Sequence, residues 1–304
     1  MHKLLAIIGP TATGKTALAL SLAKKFDGEL ISADSRQVYR GLDIGTGKDT
    51  PKDPEQKIWS IDIVGPKEEF SVAEYLNYAH KKIEEISSRG LLPILVGGTG
   101  LYIKAVLEGI ATVDVPKNEK LRATLENKTA SELFELLLNL SPAKAASLNN
   151  SDKNNPRRLI RAIEIASSSR PTHAHPFRYN TLTITLTAPK EYLNSKIKLR
   201  VEKRIEEGFE KEVNNLLSSG VTWQDQSMQS LGYRQWRLYM EGKISKNEAV
   251  DSWTREEQKY ARRQLTWFKK ERADHWFNVS ETNWLISVEE TVQKWYALSN
   301  EGKG

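Results

Sequence analysis

The chain of 304 residues contains no cysteine, which excludes disulfide bonds and zinc sites built from cysteine thiolates. It also lacks an apolar run of about 18 residues, the length that a membrane-spanning helix needs. The first ten residues, MHKLLAIIGP, include a short apolar run without a small-residue cleavage site. They therefore predict a buried first strand rather than a signal peptide. These absences favour a cytoplasmic globular protein of one or two domains.

A phosphate-binding loop follows that strand. Residues 9–16 are GPTATGKT, which has the G-x-x-x-x-G-K-T spacing, and the next residues predict a helix. Glycines at Gly9 and Gly14 let backbone N–H groups converge on phosphate oxygens. Lys15 reaches the terminal phosphates, and the Thr16 hydroxyl is a ligand for Mg²⁺. The predicted diphosphate-binding residues are Gly9, Pro10, Thr11, Ala12, Thr13, Gly14, Lys15 and Thr16.

Alternation of strands and helices predicts an α/β fold, a P-loop NTPase-like parallel sheet flanked by helices. WSIDIV (59–64) is one predicted strand and HWFNV (275–279) is the last one. Residues 116–170 have only helical periodicity and predict an all-helical insertion, followed by a loop over 170–180. The predicted domains are a first part of the core (1–115), the helical insertion (116–172), and the rest of the core with C-terminal helices (173–304).

Two motifs of nucleotide hydrolases are missing. No N-K-x-D motif occurs, and the predicted strand LLPILV ends in Gly97, Gly98 and Thr99 instead of the acid that holds Mg²⁺ in ATPases. The first acid at the end of a predicted strand is Asp34. Because ligands bind at the carboxyl ends of parallel strands, we expect Asp34 to face the phosphate loop. There its carboxylate holds Mg²⁺ through water or accepts a proton, or it caps the turn after the strand.

Segments along nearly the whole chain resemble the bacterial tRNA dimethylallyltransferases. The resemblance departs from the family pattern at Ile58 and Trp59, where a pair of histidines is common, and at Arg36, where an apolar residue is common. The segments are GPTATGKT (9–16), ISADSRQVYRGLDIGTGK (31–48), FSVAEY (70–75), LVGGTGLYIKAVLEG (95–109), NNPRRLIRAIEI (154–165), RVEKRIEEGFEKEV (200–213), LGYRQ (231–235) and QKYARRQLTWF (258–268).

The resemblance implies a reaction. A dimethylallyl group passes from dimethylallyl diphosphate to N6 of the adenosine on the 3′ side of the anticodon in tRNA, and diphosphate leaves. Mg²⁺ assists as cofactor, and Lys15, Thr16 and Arg200 stabilise the charge that gathers on the diphosphate. Asp34 takes the proton from N6.

The resemblance also implies a surface for the anticodon stem-loop, with the helical insertion as a clamp on the stem. Nothing in the sequence demands more than a monomer, which is the expected form. Arg158 and Arg161 are three residues apart on a predicted helix and share a face, which grips phosphates or forms ion pairs with Glu164 or a neighbour. The implied tRNA-binding residues are Asp34, Ser35, Arg36, Gln37, Thr99, Arg122, Arg157, Arg158, Arg161, Gly232, Tyr233 and Arg234.

Charge and aromatic residues concentrate toward the C-terminal end. The net charge is +6, and residues 255–272 hold seven Lys or Arg against three Glu. Such a segment contacts nucleic acid, or it is an amphipathic helix that packs Tyr260, Leu265, Trp267 and Phe268 into the core. Three other functions stay open: prenylation of free adenine nucleotides, a P-loop kinase of small molecules, and a non-catalytic RNA-binding protein.

Overall fold

The structure is a computed structural model, and it describes residues 2–48, 53, 56–113, 115–169, 179–271 and 273–298. The chain forms two compact units. The first unit comprises residues 1–107 and 177–304, and the second comprises residues 108–176. The predicted helical insertion, 116–172, lies inside the second unit, which begins at the last residue of the helix that precedes it.

Six parallel strands form the sheet of the first unit, in the order β3-β2-β4-β1-β5-β6. The central strands are nearly continuous runs of buried apolar residues, as expected of a parallel sheet covered on both faces. This confirms the predicted α/β fold. The strands are β1 (Lys3–Ile8), β2 (Gly28–Ala33), β3 (Ile58–Trp59), β4 (Leu92–Gly97), β5 (Asn180–Thr187) and β6 (His275–Asn278).

Helices cover the sheet, continue beyond it in the C-terminal part, and build the second unit. In the described residues they are α1 (Lys15–Lys25), α2 (Val72–Ser88), α3 (Gly100–Glu108), α4 (Glu119–Leu125), α5 (Ala130–Leu140), α6 (Pro142–Ala146), α7 (Asn150–Lys153), α8 (Pro156–Ala166), α9 (Lys190–Glu206), α10 (Phe209–Ser218), α11 (Tyr233–Met240), α12 (Lys246–Phe268) and α13 (Trp284–Leu298). None of these helices has both the length and the apolar character that crossing a bilayer requires.

One predicted strand is largely wrong. Only the first residue of WSIDIV is in β3, which is the two-residue strand Ile58–Trp59 at the edge of the sheet. Ser60 and Asp62 follow with positive φ angles of 68° and 56°. This left-handed backbone is incompatible with extended pairing, so the chain turns away from the sheet. The last predicted strand is confirmed as β6, whereas the predicted loop over 170–180 lies mostly outside the described residues.

The second unit contains a buried carboxylate. Glu164 on α8 is 3% exposed. It accepts hydrogen bonds from the backbone N–H of Asn118 at 2.9 Å, from Arg122 at 2.6 and 2.9 Å, and from Arg161 at 3.1 Å. Burial opposes ionisation, but these donors outweigh it and lower the pKa of Glu164 to about 2.

We expect the second unit to lose this stabilisation in acid. Glu164→Gln lowers the free energy of unfolding by about 2 kcal/mol at pH 7, since a charged acceptor of several hydrogen bonds is lost. The unfolded carboxyl has a pKa near 4.5. The difference in free energy of unfolding between wild type and Glu164→Gln therefore shrinks as the pH falls from 4.5 toward 2. Thermal denaturation followed by circular dichroism at a series of pH values measures the difference, with Glu135→Gln on the exposed face of α5 as control. A difference that does not shrink below pH 4.5 contradicts the assignment.

Gly97 at the end of β4 has no room for a side chain. An added Cβ comes within 2.3 Å of the Ala33 carbonyl oxygen on β2. Since backbone cannot move aside, Gly97→Ala is expected to cost about 3 kcal/mol or more of the free energy of unfolding. Gly90→Ala is the control, because Gly90 has open space but a φ of 77°, which costs about 1 kcal/mol. Urea denaturation compares the two, and equal losses would contradict the steric argument.

Candidate active site

Three segments leave the sheet at the same level. Gly97 of β4 lies opposite Ile8 of β1 and Ala33 of β2 in the registers of the two ladders. The phosphate loop therefore begins beside Gly98, and Asp34 follows β2 on the other side of β4. The backbone N–H of Thr99 donates to the Ala33 carbonyl at 3.1 Å, and the Thr99 hydroxyl accepts from the Ser35 N–H at 3.1 Å. The loop and Asp34 thus leave the same end of the sheet, with β4 between them.

The phosphate loop has the backbone that its sequence predicts. Gly9 has a φ of 144°, and a Cβ there would come within 2.4 Å of the Leu186 carbonyl oxygen. Gly14 has a φ of 77° and directly precedes α1, whose first turn holds no acidic residue. The Lys15 ammonium donates to the Pro10 carbonyl at 2.6 Å and so lies over the loop. The positive end of α1 and this lysine make the loop suitable for an anion.

Arg200 contacts the loop although 189 residues separate it from Thr11. Its Nη1 donates to the Thr11 hydroxyl at 2.7 Å. Arg204, one turn further along α9, is buried and pairs with Glu257 of α12 at 3.0 Å. A Cβ on Gly47 would come within 2.5 Å of both guanidinium groups. The arginine that the resemblance implies therefore lies at the loop, while its neighbour on α9 forms a buried ion pair.

The loop between β2 and β3 is held by Glu212, which the sequence analysis did not single out. Its carboxylate accepts from the backbone N–H groups of Asp43, Ile44 and Gly45 at 2.7, 2.6 and 3.0 Å. The Tyr233 hydroxyl donates to it at 2.6 Å. Burial and this carboxylate both raise the pKa of Tyr233. In the sequence, Glu212 was marked only by its place in the matching segment 200–213, because three of its four partners are backbone groups, which leave no signal in sequence.

Asp34 lies half-buried among tyrosines. Its carboxylate accepts from the Arg36 N–H at 2.8 Å, so it also caps the turn after β2. The rings of Tyr75 and Tyr102 stack at 3.8 Å, and burial raises the pKa of both phenols, with a further contribution from Asp34. Burial and Asp34 likewise raise the pKa of Tyr260 to about 12. These phenols therefore stay protonated near neutral pH.

The predicted tRNA-binding residues of the first unit fall into two groups. Ser35, Thr99 and the exposed Arg234 lie at or near the surface. Arg36 is half-buried and donates to the Gln226 carbonyl at 2.9 Å.

The other predicted tRNA-binding residues of the first unit have partners inside the protein. The Gln37 amide accepts from the Ser32 hydroxyl at 2.8 Å and donates to the Gly47 carbonyl at 3.1 Å. Tyr233 is fully buried and Gly232 packs on Trp253, so neither residue offers RNA a surface.

The predicted tRNA-binding arginines of the second unit differ in whether they form ion pairs. Arg122 and Arg161 both bind Glu164, and Arg161 also donates to the carbonyls of Thr112 and Val115 at 2.9 and 2.8 Å. Arg158 pairs with Asp152 at 2.5 Å. Arg157 is exposed on the first turn of α8. The ion-pair alternative therefore holds for Arg161, which binds Glu164, and for Arg158, which binds Asp152.

The basic C-terminal segment lies mostly on the amphipathic helix α12, where Phe268 is buried and Tyr260 and Leu265 are half-buried. Its inner face buries Phe268 together with two polar side chains, Glu257 and Gln264. Trp267 is 38% exposed and lies against Gly100 rather than inside the core. The outer face has a shallow cavity of about 450 Å³ lined by Lys259, Arg262, Arg263, Thr266, Trp267 and Lys270. That face is suited to phosphate groups and to an aromatic stacking contact.

Comparison with known proteins assigns the chain to a family. The family described as IPP transferase matches residues 37–271. A tRNA dimethylallyltransferase of Roseiflexus sp. (strain RS-1) is 44% identical over 283 residues, which cover 89% of this chain and 91% of that protein. The enzyme of the same name from Anoxybacillus flavithermus is 38% identical over 288 residues, covering 92% of this chain and 91% of that protein.

Solved structures agree with this assignment. The tRNA isopentenylpyrophosphate transferase of Bacillus halodurans superposes with a TM-score of 0.76 at 36% identity, covering 99% of both chains. A eukaryotic dimethylallyltransferase acting on tRNA has a TM-score of 0.83 at 23% identity, covering 99% of this chain and 80% of that one, and shares the fold. The chain belongs to the IPP transferase family.

Proposed function

We propose that the protein transfers the dimethylallyl group of dimethylallyl diphosphate to N6 of the adenosine next to the anticodon in tRNA. The observation that carries the proposal is that the phosphate loop, with Arg200 bound to Thr11, and Asp34 follow strands that end at the same level of the sheet. Relatives at 38–44% identity are named for this activity. Action on tRNA belongs to the cytoplasm, and a cytoplasmic monomer is part of the proposal.

The diphosphate half of the donor is proposed to bind at the phosphate loop. Backbone N–H groups of the loop and of the first turn of α1 bind its oxygens, with Lys15 and Arg200 adding charge. As the allylic C–O bond breaks, its electron pair moves to the diphosphate. The same donors become more stabilising as that charge grows, which lowers the barrier.

Asp34 is proposed as the acceptor of the N6 proton. The N6 lone pair forms the new bond to the allylic carbon, and the proton on N6 passes to the Asp34 carboxylate. The adenine must leave the stacked anticodon loop to reach this position, at a cost of roughly a few kcal/mol. Exposed Arg157 on α8 and the basic face of α12 are suited to offset that cost by binding phosphates.

A magnesium ion is proposed to act with these residues. Mg²⁺ usually takes one or two protein oxygens and keeps water and substrate phosphates as its other ligands. The Thr16 hydroxyl and the nearby Asp34 carboxylate are oxygen donors of the preferred kind. When bound, the ion neutralises charge on the departing diphosphate.

The first test is prenyl transfer. Purified protein is mixed with Mg²⁺, labelled dimethylallyl diphosphate and a tRNA transcript that carries an A-A-A run beside the anticodon. A transcript with G at the target position and free AMP and ATP run in parallel. Label in the first tRNA alone is expected. Label in AMP instead would contradict tRNA as the acceptor, and phosphoryl transfer from ATP would contradict prenyl transfer.

The variant Asp34→Asn removes the proton acceptor but keeps the cap on the turn after β2. The asparagine oxygen still accepts from the Arg36 N–H but no longer takes a proton, so transfer should fall about a hundredfold or more. Affinity for tRNA should stay within a few-fold, as measured by filter binding. Asp251→Asn, on an exposed position of α12, is the matched control. A variant at position 34 that transfers within fivefold of the wild-type rate would refute the base assignment.

Removal of Mg²⁺ tests the metal. Excess chelator should abolish transfer, and added Mg²⁺ should restore it. Thr16→Ala should need a higher Mg²⁺ concentration for half-maximal rate, because it lacks the hydroxyl ligand, whereas Thr16→Ser should behave like wild type. A rate that is indifferent to chelator, or identical Mg²⁺ titrations for the two variants, would count against the proposed site.

A further inference from the structure

Gln264 on the inner face of α12 binds the phosphate loop directly. The residue is 6% exposed. Its Oε1 accepts from the backbone N–H of Thr11 at 2.9 Å, and its Nε2 donates to the Gly98 carbonyl at 2.9 Å. One side-chain amide thus connects the loop after β1 with the segment after β4, and 253 residues separate it from Thr11.

Thr11 is held from two directions. Its backbone N–H is bound by α12 through Gln264, and its hydroxyl is bound by Arg200 of α9 at 2.7 Å. A displacement of Thr11 would therefore also displace the guanidinium proposed to neutralise the diphosphate. Gln264 and Arg200 are therefore connected through one residue, Thr11.

The two partners require a neutral primary amide. Thr11 offers a donor and Gly98 an acceptor, and the amide of glutamine supplies one of each. An ionised carboxylate would accept from Thr11 but repel the Gly98 carbonyl, while an aliphatic side chain would leave both groups unpaired. The fit is close, because a Cβ on Gly98 would come within 2.3 Å of Nε2.

The same face of α12 also supports α9, the helix that carries Arg200. Glu257, two turns before Gln264, accepts from Arg204 at 3.0 Å and from the Trp253 indole at 3.2 Å. Arg204 lies one turn after Arg200 on α9. One helix therefore holds both the loop and the helix that provides its arginine.

We propose that Gln264 is a positioning residue for the diphosphate donor. It acts through Thr11 and Arg200, which it keeps at the geometry that binds the diphosphate. The inference rests on the proposed function for the identity of the donor, but not for the contact with an anion at the loop.

The test compares Gln264→Met, which keeps the volume without the hydrogen bonds, with Gln264→Glu, which keeps only the acceptor. Gln258→Met is the matched control, since Gln258 lies on the same helix and contacts only the distant Asn194 carbonyl among the contacts described, at 3.5 Å. Calorimetry measures the affinity for inorganic diphosphate with Mg²⁺ and for dimethylallyl diphosphate. Steady-state kinetics measures kcat and the KM values of donor and tRNA.

Both Gln264 variants are expected to weaken donor and diphosphate affinity about tenfold or more. Gln264→Met leaves the Thr11 N–H and the Gly98 carbonyl without partners, and Gln264→Glu places a carboxylate against the Gly98 carbonyl. The donor KM should rise in parallel, whereas the tRNA KM and the control variant should stay near wild type. A residue that only stabilises the fold would lower the active fraction and hence kcat, with both KM values unchanged. That pattern would overturn the proposal.

A measurement on wild-type protein covers the case in which both variants unfold. The Thr11 amide should be protected from hydrogen exchange before any donor is added, because Gln264 already binds it. Rapid exchange of that amide would overturn the proposal. Absence of transfer to tRNA by wild-type protein would instead refute the proposed function, and diphosphate calorimetry would still decide the role of Gln264.

Discussion

Parallel pairing of β1, β4 and β2 in register is the constraint on which the site depends. Gly97 lies opposite both Ile8 and Ala33, so three strands end at one level. The close approach of β4 and β2 at that point tolerates no Cβ on Gly97. Because strands of a parallel sheet all point the same way, the segments that follow them leave the same end of the sheet. The phosphate loop and Asp34 lie at that end, on either side of β4, for this reason.

Buried carboxylates order backbone and side-chain groups in both units. Glu212 gathers three successive backbone N–H groups, and Glu257 holds Arg204 on α9. In the second unit, Glu164 orders two arginines. A buried carboxylate is costly unless hydrogen bonds satisfy it, so each one accepts only the arrangement that does so. Apolar packing is less directional and would leave these loops several conformations of similar energy.

Helix α12 has two roles because its two faces differ. Its inner face contributes Glu257 and Gln264 to the support of α9 and the phosphate loop. Its outer face presents lysines, arginines and Trp267 to solvent. In the proposed function the outer face meets RNA while the inner face holds the donor site. A rigid helix places both sets of groups with the precision of its own hydrogen-bonded backbone.

Sequence by itself determined the parts whose chemistry is local. The phosphate loop, the alternation of strands and helices, and Asp34 at a strand end follow from spacing and periodicity, and the resemblance added Arg200. Only the tertiary structure decided what depends on distant partners. It ended β3 at Trp59, buried Tyr233, and brought Gln264 to Thr11 across 253 residues. The physical reason is that nearly every residue carries the same backbone N–H and carbonyl groups, so the residue types at positions 11 and 98 give no signal of their partner.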